Sequence, residues 1–153
     1  MVNHVARLGA GPLDLEHYLA RVAEEIRSVF GYYWVAIFLG DYPNRRLVLR
    51  SYSCAEPLDI KLGDSVEFGQ GLVGTAFSLG HSLIVDDVST DRRYVSWIPV
   101  TASELVVPIL VGEFSLGVID VQARDKKAFT NDDRLALDTL SYLVGAMVRA
   151  AQR

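Results

Sequence analysis

Apolar residues recur at helical spacing through Leu15, Tyr18, Leu19, Val22, Ile26, Val29 and Phe30, with Glu16, His17, Arg21, Glu24, Glu25 and Arg27 opposite. At 100° per residue the apolar set spans roughly 140°, which predicts a helix laid one-sided on a core. Asp14 can cap its start and Gly31 ends it. The pattern then changes to that of strands. Residues 32–39 are aromatic and β-branched and read as a strand buried on both faces. Asp41-Tyr42-Pro43-Asn44 is a turn, residues 46–53 pair back as a more exposed strand, and residues 55–63 form a loop. A short strand over residues 64–68 follows.

Gly69 and Gly71 flank Gln70 and mark a tight approach into the next element. Leu72, Val73, Ala76, Phe77 and Leu79 predict a short helix that stops at Gly80. Residues 82–85 suit a short strand, and Asp86, Asp87, Ser89, Thr90 and Asp91 crowd the loop after it. Residues 95–102 read as a loop or broken helix. Residues 104–111 are nearly all apolar, another buried strand, in which Pro108 predicts a bulge or an unpaired position. In residues 115–123, Ile119, Val121 and Ala123 point one way, while Val118, Asp120 and Gln122 point the other. Thr130 then caps a last helix, with Asp133 at the third position of a capping box. Apolar residues cover roughly 240° of that helix, leaving a polar wedge of Asp138, Ser141 and Arg149. Leu137, Leu140, Val144 and Met147 keep a heptad spacing and predict a homodimer interface. The alternative is that the first helix and the sheet enclose the last helix within one subunit.

These elements predict an α+β fold: a central antiparallel sheet of five to six strands, the N- and C-terminal helices on one face, and short helices and loops over a pocket on the other. Residues 14–153 make one domain. Residues 1–13, which end in Gly9-Ala10-Gly11-Pro12, read as a linker or the tail of a helix. Asp120 and Gln122 then face the covered side of the sheet, where a polar pair is costly without partners. Glu104 begins the neighbouring strand and can join them. The three point to a polar cavity; the alternative is that Asp120 bonds backbone amides of the glycine loop at residues 69–74.

Composition narrows the classes. Of 153 residues half are hydrophobic and 22% charged, which suits a single folded domain. A net charge of −4 argues against a nucleic-acid partner. No apolar run approaches the ~20 residues of a membrane helix. Cys54 is the sole cysteine and forms no internal disulfide, so a cytoplasmic location is the default. His17, on the polar side of the first helix, and Cys54 read as spectators. No HExxH, phosphate loop, CxxC or serine triad pattern is present, so no metal or catalytic residue is predicted.

G-x-G-L-x-G-x-A from Gly69 and I-V-D-D-V-S-x-D-x-R-Y from Ile84 resemble the GAF family of small-molecule sensor domains. The resemblance continues in Ser103-Glu104-Leu105-x-x-Pro108, Gly117-Val118-Ile119-Asp120 and Phe129-Thr130-x-x-Asp133, and covers the chain from about Leu15 to Ala151. It implies a cytoplasmic sensor that binds a small molecule through Val73, Asp87, Tyr94, Trp97, Glu104, Asp120 and Gln122. It also implies signal transduction through dimeric terminal helices to an output domain of a longer parent protein. The alternative is a ligand-free dimerisation and relay scaffold. The resemblance names no ligand or cofactor.

One GAF subfamily, the free methionine-R-sulfoxide reductases, is enzymatic and is similar to this chain around Glu104 and Asp120. Its acidic groups there bind the substrate amine. Its chemistry needs one thiolate to attack the sulfoxide and another to resolve the intermediate. The family's cysteine positions fall here at Val73, at or near Trp97 and near Gly63, and the second acid of its I-D-x-D pair is Gln122. Cys54 matches none of them, so the expectation is a non-enzymatic sensor. A bilin-binding domain needs a cysteine in or after the pocket helices, and none lies there. Asp125, Lys126, Phe129 and Asp133 resemble the N-K-F-D-E motif of cyclic-nucleotide GAF domains, with Asp125 in place of asparagine and Arg134 in place of glutamate. That motif implies a structural Lys–Asp tie near the sheet edge.

Overall fold

A computed structural model describes residues 14–152. The linker or helix tail expected over residues 1–13 lies outside the described residues. Helix α1 runs Leu15–Phe30. Asp14 accepts from the His17 amide at 3.3 Å as its N-cap, and Gly31, at φ 72°, supplies the left-handed residue that closes it. Strands β1 (Trp34–Asp41) and β2 (Arg46–Cys54) form a hairpin, and β3 (Ser65–Glu67) follows. Helix α2 (Gly71–Leu79) leads into β4 (Leu83–Val85) and a 3-10 turn at Val88–Thr90. Strands β5 (Ser103–Val111) and β6 (Phe114–Ala123) make a second hairpin before helix α3 (Asn131–Ala151). The six strands pair antiparallel in the order β3-β2-β1-β6-β5-β4.

The period-2 alternation of β6 divides the molecule into two cores. On one face, Ile119 and Val121 join Val35, Ile37, Leu105 and Val107 beneath Leu19, Val22 and Ile26 of α1 and Leu137, Leu140 and Val144 of α3. On the other, Val118 joins Trp34, Phe38, Leu47, Leu49 and Val106 beneath Leu72, Ala76 and Phe77 of α2 and Ile98 of the following loop. The two long helices thus share one face and the central stretch covers the other, as the pattern predicts.

A β-bulge sets which residues of β2 reach the second face. Ile37 pairs with Ser51 and Phe38 with Leu49, so Arg50 is an extra residue. Before it Leu47 and Leu49 face α2; after it Tyr52 and Cys54 do. Ser51 turns instead to α1, where its hydroxyl donates to the Leu19 carbonyl at 2.9 Å. Pro108 itself is paired with Val118, and the irregularity falls just beyond it, between Ile109 and Leu110.

Helix α3 corrects one expectation. Thr130 and Asp133 form the predicted capping box. Leu137, Leu140 and Val144, expected at a dimer interface, are fully buried against the subunit's own sheet, and Met147 packs at the edge of the same core. Ser141, expected in the polar wedge, is buried with them, its hydroxyl donating to the Asp138 carbonyl at 2.7 Å. The reason is close approach. A Cβ on Gly145 would stand 2.8 Å from the Leu110 carbonyl oxygen, so the helix rests on β5 at Gly145, and Leu137, Leu140 and Val144 beside it are buried. Leu135 and Tyr142 face outward. No helix among the described residues is long and apolar enough to cross a membrane.

Candidate functional site

Register brings the polar residues together. Trp34 of β1 pairs with Gln122 of β6, which in turn pairs with Glu104 of β5. Cys54 of β2 pairs with Trp34 on the other side. Directly opposite residues share a face, so Cys54, Trp34, Gln122 and Glu104 form one cross-strand row on the face covered by α2. Asp120, two residues from Gln122 on the same strand, stands beside that row.

A cavity opens between this face and its cover. It is lined by Trp34, Phe38, Val66, Glu104, Asp120 and Gln122 from the sheet, by Gln70, Gly71, Leu72 and Val73 from the start of α2, and by Tyr94, Val95 and Trp97 from the following loop. Its volume open to the centre of a water molecule is ≈ 30 Å³, room for about two waters. A larger guest therefore requires the α2 start and the Tyr94–Trp97 segment to move outward. Gly69 and Gly71 have φ of 79° and 68°, conformations that suit glycine. Gly71 also lets Val95 close over the helix start: an added Cβ there would lie 3.3 Å from Val95 Cγ2.

Of the expected ligand-binding residues, Val73, Tyr94, Trp97, Glu104, Asp120 and Gln122 line the cavity. Asp87 does not. Its carboxylate accepts from the Ser89 amide at 3.1 Å and hydroxyl at 2.7 Å, capping the 3-10 turn, and pairs with Lys126 at 3.2 Å. These bonds hold its carboxyl below the usual range. Asp87 thus makes the Lys–Asp tie implied for Lys126, while Asp133 caps α3 and accepts from the Tyr32 hydroxyl. Trp34 and Phe38 escaped the sequence reading, although both occupy the same parity of β1. Knowing which positions of β1 oppose Asp120 and Gln122 would have found them.

The polar centre is a short hydrogen-bond chain. The Thr101 hydroxyl donates to Gln122 Oε1 at 2.5 Å, Gln122 Nε2 to Asp120 Oδ2 at 2.8 Å, and Trp34 Nε1 to the same Oδ2 at 3.1 Å. The Gly69–Gly74 loop amides, the alternative partners, are not involved. Asp120 Oδ1 is buried and receives no bond from any N–H or hydroxyl of the described residues. The Glu104 carboxyl stands within hydrogen-bond reach of Asp120. Two carboxyls can share such a bond only if one is protonated. Burial first, then the Asp120 charge and hydrogen bond, push Glu104 well above the usual carboxylate range. Asp120 is raised as well, by burial, against hydrogen bonds from Glu104, Gln122 and Trp34 that act downward, so the two carboxyls hold one proton between them.

This has a stability consequence. An acid whose folded pKa is raised keeps its proton where the unfolded chain has lost it. Stability therefore falls as pH rises from the ordinary glutamate value through the folded one. Glu104→Gln removes the ionisable group. Its melting temperature should exceed that of the wild type by an amount that grows as pH rises above 4.5, the ordinary glutamate value. A gain independent of pH would contradict the protonation assigned to Glu104.

The chain is similar to proteins of two kinds. It is 36% identical over 80 residues to the free methionine-R-sulfoxide reductase of Saccharomyces cerevisiae, covering 52% of this chain and 44% of the yeast protein. The match thus spans less than half the length of that relative. It is 27% identical over 130 residues to the GAF domain-containing protein A of Dictyostelium discoideum, covering 82% and 76% of the two chains. Among solved structures, the free methionine-R-sulfoxide reductase of Neisseria meningitidis in complex with its substrate superposes with a TM-score of 0.89. That match has 26% identity over 99% of this chain and 87% of the other. These likenesses overturn the expectation of a non-enzymatic domain. That expectation rested on the thiol positions and on Gln122 in place of an acid, whereas the similarity to a reductase extends over the whole fold. The family model for the GAF domain matches residues 12–149, which include all six strands, the whole of α1 and all but the last two residues of α3, and the chain belongs to that family.

Proposed function

We propose that the cavity receives a free amino acid of the methionine sulfoxide type, with its ammonium group against Glu104 and Asp120 and its side chain against Trp34 and Phe38. The observation that carries this reading is the pair of buried carboxyls, Glu104 and Asp120, on the wall of a cavity, where no N–H reaches Asp120 Oδ1. An ammonium group supplies N–H donors and a positive charge, and charge-assisted bonds of this kind are the strong ones. The aromatic rings beside it suit a polarizable sulfur group. The similarity to the two reductases supports the same substrate class.

A reductase step has one further observation in its favour. Cys54, the only thiol, lies on the same sheet face, in the row of Trp34, Gln122 and Glu104 but outside the cavity wall, so the segment that carries it would have to turn toward the ligand. Its thiolate would attack the sulfoxide sulfur and take the oxygen as a sulfenic acid, releasing methionine. An external thiol would condense with the sulfenic acid, releasing water, and a second external thiol would return Cys54 to the thiol and leave as disulfide. Calorimetric titration with methionine sulfoxide, beside turnover assays with dithiothreitol, tests both parts. Saturable binding, and turnover abolished by Cys54→Ser with binding retained, are the expected results. Absence of binding by any amino acid would overturn the pocket reading. Binding without turnover, or turnover indifferent to Cys54→Ser, would overturn the Cys54 step.

A further inference from the structure

We propose that the Glu104–Asp120 pair holds one proton when the pocket is free and gives it up to solvent when the ligand's ammonium group takes its place, so that binding expels a proton and selects cations. This deepens the amino-acid reading above and rests on it. The geometry supplies the reason. Both carboxyls are at least 97% buried, with exposures of 3% and 2%. No lysine, arginine or histidine among the described residues forms an ion pair with either. What faces them from β1 is the neutral Trp34, from β6 Gln122, and from the loop Tyr94 and Thr101. The start of α2 contributes only Gln70, Gly71, Leu72 and Val73 to the cavity wall. The one other charge acting on Glu104 is Asp91, which is negative and already paired with Arg93 at 2.7 Å.

Two such carboxyls, side by side and without a cation, cannot both be charged away from water. One proton between them is the remaining arrangement, and it accounts for an Asp120 oxygen that meets no N–H or hydroxyl. A ligand ammonium changes the arithmetic. It brings its own positive charge and three donors, which satisfy both carboxylates at once. The proton then has no further role and leaves, while the ammonium keeps all three of its own. A neutral amide offers donors but no charge, so it cannot displace the proton and binds only to the protonated pair. Gln122, a neutral amide between them and Thr101, adds no third carboxyl, so the site has one exchangeable proton.

The test is calorimetric titration of the protein with L-methionine sulfoxide in phosphate and in Tris, buffers whose ionisation enthalpies differ widely. The expected result is a heat difference equal to about one proton released per ligand, with affinity rising about tenfold per pH unit until the free pair ionises. Glu104→Gln should abolish the buffer dependence. Binding with equal heats in both buffers and an affinity flat in pH would overturn the proposal while leaving the amino-acid pocket standing. If methionine sulfoxide and other amino acids do not bind, the pocket reading fails instead. The proton is then decided on the ligand-free wild type by carbon-13 NMR of the Glu104 carboxyl. A protonated chemical shift at pH 7 upholds the shared proton; an ionised one overturns it.

Discussion

Asp120→Asn is expected to weaken binding of an amine-bearing ligand by on the order of a hundredfold, about 2.8 kcal/mol. The substitution preserves shape, so the loss comes from one atom. Trp34 Nε1 is a donor only and bonds Asp120 Oδ2 at 3.1 Å. An asparagine must therefore turn its carbonyl oxygen toward Trp34, where it can also accept from Gln122. Its amide nitrogen then occupies the place of Oδ1, beside the cavity and Glu104. The atom facing the ligand changes from acceptor to donor and opposes the ammonium. The same nitrogen gives Glu104 a fixed donor, so the variant should fold at least as stably as the wild type. Thermal unfolding and calorimetric titration with methionine sulfoxide separate the two effects. Wild-type affinity in a folded Asp120→Asn protein would remove Asp120 from the ligand's contacts.

Gly117→Ala should lower stability by about 3 kcal/mol or more, which for a chain of this size corresponds to a fall in melting temperature of roughly 10 °C. Gly117 lies in the middle of the sheet, between Leu39 of β1 and Ile109 of β5. A Cβ there would stand 2.0 Å from the Phe38 carbonyl oxygen and 3.1 Å from Leu39 Cα. Both are backbone atoms of the neighbouring strand, so no rotamer change relieves the clash and β1 has to move from β6. The same pairing sets Trp34 opposite Gln122, from where its Nε1 reaches Asp120, so ligand affinity should fall with stability. Urea unfolding measures the first. A loss under about 0.5 kcal/mol would mean that the two strands are less closely held than their register shows.

Much of this was legible in the chain. The one-sided pattern of Leu15–Phe30, the alternation around Asp120, and the stops at Gly31 and Gly80 are local features. Their causes lie within a few residues, where side-chain period and backbone freedom act directly. The polar cavity followed from the same alternation, since Asp120 and Gln122 cannot share a face with Ile119 and Val121. Asp87 was misplaced because its motif names the loop without saying whether the carboxylate turns inward or caps its own turn. Ser89 decides that from two residues away, and Lys126 adds its ion pair only once the chain has folded.

The chain by itself thus determined the order of elements, the two-faced sheet and the acidic character of one face, because each depends on spacing along a single segment. Tertiary structure alone decided three other things. It decided that Trp34 serves Asp120 and that Cys54 shares a sheet face with it, because register and the Arg50 bulge depend on how separate strands meet. It decided that α3 lies on Ser141 and Gly145 and turns Tyr142 outward. A helix with apolar residues around most of its circumference has no preferred side until a surface offers close approach, and β5 offers it at Gly145. And it decided that Glu104 and Asp120, which the alternation had already brought to one face, are shut away from water, where their charges are coupled.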